Sequence, residues 1–300
     1  MANFKSGFVS IIGRTNVGKS TLLNNLAGEK IAITANKSQT TRTAIKAIIN
    51  RENSQIIFID TPGIHKPKTK LSNTMLDTVW QSLKNSDVTL FIIDATSSKI
   101  GTGDKIILDK IKEAKGKTIL VINKIDLIEK EKLLKIIEQY KNEYNFEAII
   151  PVSSLKNENT ESILEEIEKI LPEGPAYYSQ DEYTDQTERQ LIEEIIREKT
   201  LKLLDDEVPH GIYVEVQKMK SRKTAKQEKI FDIEVTIYAI RESHKGIIIG
   251  KNGAMLKKIG MYARQDIEEL LNTKVNLKLW VKVKENWQDK DIIVEKFKLK

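Results

Sequence analysis

The run Gly13-Arg14-Thr15-Asn16-Val17-Gly18-Lys19-Ser20 constrains this chain more than any other segment, because it works in only one structural setting. It fits G-x-x-x-x-G-K-[ST] and lies between an apolar run, Phe8 to Ile12, and a helical stretch, Thr21 to Leu26. A loop that leaves a strand and enters a helix in this way curls its backbone N–H groups around phosphates, with the helix N-terminus favouring negative charge. Lys19 then reaches the β- and γ-phosphates, and the Ser20 hydroxyl can ligate Mg²⁺. Gly13 to Gly18 and Thr21 form the rest of the cradle.

The first half of the chain repeats that alternation. Candidate strands are Phe8 to Ile12, Ile45 to Ile49, Gln55 to Ile59, Val88 to Ile93, Thr118 to Ile122 and Ala148 to Pro151. Candidate helices start at Gly18-Lys19-Ser20 and cover Leu71 to Ser86, Asp104 to Ala114, Glu131 to Tyr144 and Glu161 to Ile170. Strands alternating with amphipathic helices predict a mostly parallel sheet with helices on both faces, and the phosphate loop within it makes the expected fold an α/β P-loop NTPase, a Ras-like G domain. Leu171-Pro172-Glu173-Gly174-Pro175 breaks the last helix and sets the domain boundary, so residues 1–175 form the first domain. Residues 176–186 read as a linker and 187–300 as a second, α+β domain: a helix over Thr187 to Leu204, strands Gly211 to Lys218 and Ile230 to Ile240, a helix pair around Gly250, and a strand over Val275 to Val283. Lys218 to Lys229 reads as a basic, flexible hairpin loop.

Three further segments follow strands in the first domain. Asp60-Thr61-Pro62-Gly63 places a carboxylate where it can hold a metal and a glycine N–H where it can approach a γ-phosphate. Asn123-Lys124-Ile125-Asp126 selects the base, since a carboxylate accepts two hydrogen bonds from guanine N1 and N2 that adenine cannot supply. Asn123 can touch the base edge and tether the phosphate loop, and the stem of Lys124 can lie against the ring. Ser153-Ser154-Leu155 is placed to give a backbone N–H to the guanine carbonyl oxygen. The loop Lys37 to Thr43 is then the first switch, with Thr41, or alternatively Thr40, completing the metal shell. Lys19, Thr41 and Gly63 are therefore the expected catalytic groups of a GTP-hydrolysing, Mg²⁺-dependent site. Ile64 stands where many such enzymes carry a glutamine that orients water, so something else must finish the catalytic site.

Charge divides the chain unevenly. The net charge is +6, and from Glu207 to Lys300 there are 20 Lys and Arg against 13 Asp and Glu, a net +7, leaving 29 against 30, or −1, elsewhere. A basic module beside a near-neutral one points to a polyanionic partner for that module. The absence of cysteine excludes disulfides and thiolate metal sites and suits a reducing cytosol. Met1 to Val9 has no signal-peptide run, and no apolar stretch is long enough to span a bilayer, which argues for a cytoplasmic protein.

Within the basic module, Gly250-Lys251-Asn252-Gly253, followed by an amphipathic helix, has the form of a KH-domain G-x-x-G loop. Its glycines let the backbone approach a sugar-phosphate strand, Lys251 brings charge, and Asn252 a neutral hydrogen-bonding group. Leu256, Ile259, Ala263, Ile267 and Leu270 recur at helical spacing and read as core. Trp280 and Trp287 can stack on bases, although Trp280 sits in an alternating apolar strand and reads first as core. Lys218, Lys220, Arg222, Lys223 and Lys226 can reach phosphates or simply form a solvated tip. His65, His210 and His244 are scattered and do not make a zinc site.

Taken together, Asn16, Ser38-Gln39-Thr40-Thr41-Arg42, Ile64 after Asp60-Thr61-Pro62-Gly63, Asn123-Lys124-Ile125-Asp126 and the G-x-x-G loop resemble the Era family of bacterial GTPases over essentially the whole chain. The resemblance implies a type II KH domain for the second module. It implies GTP and GDP as ligands and the 3′ end of 16S ribosomal RNA in the assembling 30S subunit as partner. It also implies a potassium-binding role for Asn16 that compensates for the missing catalytic group, and the chain is expected to be a monomer. Ser153-Ser154-Leu155 departs from the family's more usual Ser-Ala there and leaves the backbone contact intact. Two rivals remain on the residues alone: a GTPase whose basic domain docks peripherally at the inner face of the membrane or on a protein partner in cell-cycle control, and an RNA-binding protein whose nucleotide site no longer turns over.

Overall fold

The computed structural model describes residues 4–35, 37, 40–97, 99–205, 208–223 and 227–297. Ser38 and Gln39 of the expected switch, and Lys226 of the basic segment, lie outside them. The chain divides into two compact units: one comprises residues 1–34, 41–185 and 294–300, and the other residues 35–40 and 186–293.

In the first unit, β1 (Lys5–Ile12) is followed by α1 (Lys19–Ala27), β2 (Ile45–Asn50), β3 (Ser54–Asp60), α2 (Lys70–Asn85), β4 (Val88–Asp94) and α3 (Thr102–Ala114). β5 (Lys117–Asn123), α4 (Lys130–Glu143), β6 (Ala148–Val152) and α5 (Glu161–Ile170) complete it. The six strands run in the order β2-β3-β1-β4-β5-β6; only β2 is antiparallel to its neighbour. β3 is buried along its whole length and β4 nearly so, as strands covered on both faces must be. On one face Leu22, Leu23 and Leu26 of α1 and Ile163, Leu164 and Ile167 of α5 share a core with Val9, Ile11 and Phe58. On the other, Val79 and Leu83 of α2, Ile107 and Ile111 of α3 and Ile136 of α4 pack against Ile12, Phe91 and Ile122. Each nucleotide-site motif that follows a strand therefore leaves the same sheet edge, the C-terminal ends of β1, β3, β5 and β6, where α/β folds bind ligands.

The polar stretch after α5 has backbone partners in the first unit. Gly174 N–H donates to the Phe4 carbonyl (3.0 Å), Ile48 N–H to Tyr183 (3.0 Å), and the Gln55 side chain is bonded by Tyr177, Tyr178 or both through each of its polar atoms.

The second unit runs α6 (Glu188–Leu203), β7 (Tyr213–Lys223), β8 (Lys229–Ala239), α7 (Glu242–Ile249), α8 (Ala254–Leu270) and β9 (Lys274–Val283), then a one-turn α9 (Asp291–Val294). Thr187 caps α6 with a capping box closed by Gln190, which fixes where the helix begins. The sheet order is β7-β8-β9, with β7 antiparallel and β9 parallel to the central strand. Ile192 and Ile196 of α6, Ile248 of α7, and Ile259, Ala263 and Ile267 of α8 bury one face of this sheet with Ile233, Val235 and Ile237. Leu256 and Leu270 pack at the edge of that core, as their spacing requires.

Two readings need correction. Lys218 to Lys223 is not loop: it continues β7, because Met219 turns toward the core while Lys218 and Arg222 pair across the strand with Glu234 (3.7 Å) and Asp232 (2.6 Å). Trp280 is not core. It is 57% exposed, whereas Trp287, in the turn after β9, is fully buried and donates its indole N–H to the Gly211 carbonyl at 3.0 Å. The period of two explains the first tryptophan: Leu277, Leu279 and Val281 face inward, so Trp280 shares its parity with Lys278 and Lys282.

Candidate functional site

The loop after β1 brings Gly13 to Ser20 to the centre of the sheet edge, with α1 starting at Lys19. Asn16 adopts a left-handed conformation (φ 63°), which asparagine tolerates better than most residues; its side chain is exposed and has no hydrogen-bond partner among the described residues. Lys19 is buried, and its ammonium donates to the carbonyls of Gly13 (3.1 Å) and Arg14 (2.9 Å), which leaves one N–H for another acceptor. Burial lowers its pKa to about 8, against the pull of the Asp60 carboxylate, and a bound anion would raise it again.

Three oxygens converge beside it. Ser20 Oγ donates to Asp60 Oδ2 at 2.8 Å, Thr41 Oγ1 reaches the same oxygen at 3.2 Å, and the two hydroxyls are 3.0 Å apart. Asp60 Oδ1 is buried without a partner among the described residues, a costly arrangement for a carboxylate unless a cation shares the site. Burial raises the Asp60 pKa, while Lys19 and the two hydroxyls hold it down. Thr40 turns away: its hydroxyl donates to the Ala35 (3.2 Å) and Lys37 (2.6 Å) carbonyls of its own loop. The geometry thus brings Thr41, not Thr40, to the carboxylate.

Thr61 is fully buried and anchors this turn by donating to the Ile11 carbonyl at 2.7 Å, and Pro62 packs beside it. Gly63 passes so close to the phosphate loop that a Cβ there would lie 2.7–3.0 Å from Thr15, including its backbone N and Cα. Ile64 N–H donates to the Gly13 carbonyl at 3.1 Å, and the Ile64 side chain is sealed into the core with Ile12, Val79 and Phe91. It cannot reach into the site.

Asn123 joins two loops. Its amide donates to the Val17 carbonyl at 2.7 Å, and its oxygen accepts from the backbone N–H and hydroxyl of Ser154, both at 2.9 Å. Lys124 spans from the Asn16 carbonyl (2.8 Å) to Asp94 Oδ2 (2.7 Å). Asp126 Oδ1 accepts from Ser153 Oγ at 2.7 Å, which aims the carboxylate, and Leu155, two residues after Ser153, is exposed. The order, spacing and aim of these groups suit a planar base with adjacent N–H donors.

Two contributors escaped the sequence reading. Asp94 ends β4 and orients Lys124; burial works to raise its pKa, but hydrogen bonds from Lys124 and Thr96 leave it lowered. A carboxylate at the end of an apolar strand run was its only signal. Asp104, buried on α3, holds Arg14 at 3.4 Å, and nothing local to either residue announces that pair.

In the second unit, Gly250, Lys251, Asn252 and Gly253 join α7 to α8. Gly250 is at φ 72°, and a Cβ there would meet Met255 Cβ at 2.7 Å and its backbone N at 2.9 Å, so only glycine fits. Lys251 and Asn252 are exposed at the N-terminal end of α8, whose free N–H groups suit a phosphate.

Comparison with known proteins agrees with both halves. The family described as "50S ribosome-binding GTPase" matches residues 8–124, and the family described as "KH domain" matches residues 207–288. GTPase Era of Clostridioides difficile (strain 630) is 52% identical over 295 residues, covering 98% of both chains. GTPase Era of Caldanaerobacter subterraneus subsp. tengcongensis is 51% identical over 293 residues, covering 98% of this chain and 97% of its own. Among solved structures, a variant of Aquifex aeolicus Era bound to GDP and AlF4⁻ superposes with a TM-score of 0.92 at 41% identity, covering 98% of this chain and 99% of its own. A complex of Era with MgGDPNP and nucleotides 1506–1542 of 16S ribosomal RNA gives 0.92 at 42% identity, covering 98% of each. No helix among the described residues is long and apolar enough to cross a membrane.

Proposed function

The chain belongs to the GTPase Era family, and from that premise we propose that it is a GTP-hydrolysing switch that binds the 3′ end of 16S ribosomal RNA and serves assembly of the 30S subunit. The observation that carries the nucleotide half is the meeting of Ser20, Thr41 and Asp60, with one carboxylate oxygen of Asp60 buried and without a partner among the described residues. These oxygens fit Mg²⁺, and Ser20, Thr41 and Asp60 would hold it; bound there, it would offset the negative charge of the β- and γ-phosphates.

The remaining roles fall to the protein. Lys19 donates its free N–H to β- and γ-phosphate oxygens, and the Gly13–Thr21 backbone cradles them. Gly63 gives the γ-phosphate a backbone N–H, and its departure on hydrolysis releases the loop around Thr41. Asp126 accepts from guanine N1 and N2, Lys124 flanks the ring, and Ser153, Ser154 and Leu155 shape the carbonyl side of the base. Asn123 holds the base segment to the phosphate loop. Ile64 is buried, so no side chain at that position orients water, and intrinsic turnover is slow. The Asn16 amide, without a partner among the described residues, suits a potassium ion that compensates.

In this reading residues 1–175 are the GTP-binding domain, 176–186 the linker and 187–300 the type II KH domain, which grips single-stranded RNA at Gly250–Gly253. The protein works as a cytoplasmic monomer. The test is GTP hydrolysis by the purified protein in potassium or sodium buffer, with and without an oligonucleotide of the 16S 3′ end. Stimulation by both potassium and RNA is expected. Turnover indifferent to RNA would contradict the ribosomal role and favour a membrane or protein partner.

A further inference from the structure

One face of the second unit's sheet is claimed by α6, α7 and α8. The other is covered at one end, where Tyr213 stacks on Tyr238 and packs against the buried Trp287, and is open along β9. Cross-strand register sets the residues of this face in rows: Lys220, Asp232 and Asn276; then Lys218, Glu234 and Lys278; then, on β8 and β9, the buried Thr236 with the exposed Trp280, and Tyr238 with Lys282. The acidic groups here are already answered. Asp232 is bound by Arg222 (2.6 Å) and Asn276 (2.8 Å), and Glu234 by Lys218 (3.7 Å). Lys220, Lys278 and Lys282 have no ion-pair partner among the described residues, and Lys284 lies 5.1 Å over the Tyr238 ring.

Trp280 stands between Lys278 and Lys282 on this face with 57% of its surface exposed. An indole left in water between two lysines that form no salt bridge among the described residues has poor reason to be there for stability, since apolar area gains by burial. An aromatic ring flanked by cations is what a single strand uses: a base stacks on the ring, and the phosphates on either side meet the charges. A purely acidic partner would use the lysines and leave the ring without a role. The face is separate from the G-x-x-G loop. α8 packs on the inner side of β9, where Gly260 abuts Leu279, so Trp280, the next residue, points the other way.

We propose that the outward face of β9 is a second nucleic-acid contact, at which single-stranded RNA stacks a base on Trp280 and lays its phosphates along Lys278 and Lys282. The contact is tolerant of sequence, because every base has a stacking face and phosphates carry no sequence. It rests on the RNA-binding reading above and extends it beyond the G-x-x-G loop, which clamps about four nucleotides.

The test uses the full chain and fluorescently labelled single-stranded RNAs of about six and about twenty nucleotides, with affinity followed by anisotropy over a salt series. Trp280→Ala is expected to weaken the longer RNA by about tenfold or more and leave the shorter one unchanged, while Trp280→Tyr retains most of the affinity. The double variant Lys278→Gln/Lys282→Gln should flatten the salt dependence by about 1.4 in the logarithmic slope. It also keeps the proposal testable if Trp280→Ala folds poorly. Long-RNA affinity and salt slope unchanged in both variants would overturn this inference while leaving RNA binding at the loop intact. No RNA binding by the wild-type chain at either length would overturn the underlying reading instead. Loss of binding to phosphatidylglycerol vesicles in Trp280→Ala, with RNA binding unaffected, would assign the face to a lipid surface and overturn the proposal.

Discussion

Replacing Asn123 by alanine should cost both stability and nucleotide affinity, and the structure sets the size. Asn123 is 1% exposed and makes three hydrogen bonds, one to the Val17 carbonyl and two from Ser154. Alanine removes all three and leaves the Val17 carbonyl and the Ser154 N–H without these partners. A buried polar group that loses its partner costs about 1–3 kcal/mol, and water entering the vacated space offsets part of that, so the net loss is about 2–4 kcal/mol. In a domain of this size each kcal/mol lowers Tm by about 2–4 °C, which gives a fall of roughly 5–15 °C. Calorimetry on the full chain reads this directly: the transition that GDP shifts upward should drop, and the other should not. GDP affinity, by titration of a fluorescent analogue, should fall at least about tenfold, because the phosphate loop and the base segment are no longer fixed to each other. A drop under about 2 °C with unchanged affinity would refute the idea that this amide holds the site together.

Three other outcomes follow from the same geometry. Asp126→Asn should move preference from GTP toward xanthosine triphosphate, since the amide no longer accepts two N–H donors; competition binding that still favours GTP would remove Asp126 from the base contact. Lys19 should tie nucleotide binding to pH. Its folded pKa of about 8 lies below that of an unfolded lysine, 10.5, so between those values the unfolded chain holds more protons and this group's penalty on folding fades as pH rises. Phosphates restore its charge, so GDP affinity should weaken above about pH 8, with roughly three-quarters of a proton taken up per nucleotide at pH 8.5 in calorimetry across buffers of different ionisation enthalpy. No uptake would place the lysine pKa elsewhere. Gly250→Ala should abolish tight RNA binding while leaving GDP affinity within about twofold, because its Cβ would collide with Met255 at the turn into α8; RNA titration and GDP titration check the two halves.

What could be read from the sequence depended on whether the constraint was local. Gly13 to Ser20, Asn123 to Asp126 and Gly250 to Gly253 announce themselves because each needs particular residue types at fixed spacing to shape a backbone, and all three lie where strand and helix periodicity placed them. Thr41 and Thr40 could not be separated that way, since the choice rests on which hydroxyl faces Asp60, a residue from another strand. Asp94 and Asp104 were missed for the same reason: their partners, Lys124 and Arg14, are remote in the chain. The lysine-rich end of β7 looked like loop because its pairing charges belong to β8. The outward face of Trp280 was legible, since its parity matches Lys278 and Lys282; the apolar look of the whole strand obscured it.

The central claim is that nucleotide state and RNA binding are coupled in one molecule. The most direct measurement is RNA affinity for a 16S 3′-end oligonucleotide with the protein saturated either by GDP or by a non-hydrolysable GTP analogue, paired with the affinity for each nucleotide with and without that RNA. Linkage requires the same factor in both directions, and a switch of this kind predicts a factor of at least about five. Equal RNA affinity in the two nucleotide states would contradict it, leaving a GTP-binding module and an RNA-binding module that merely share a chain.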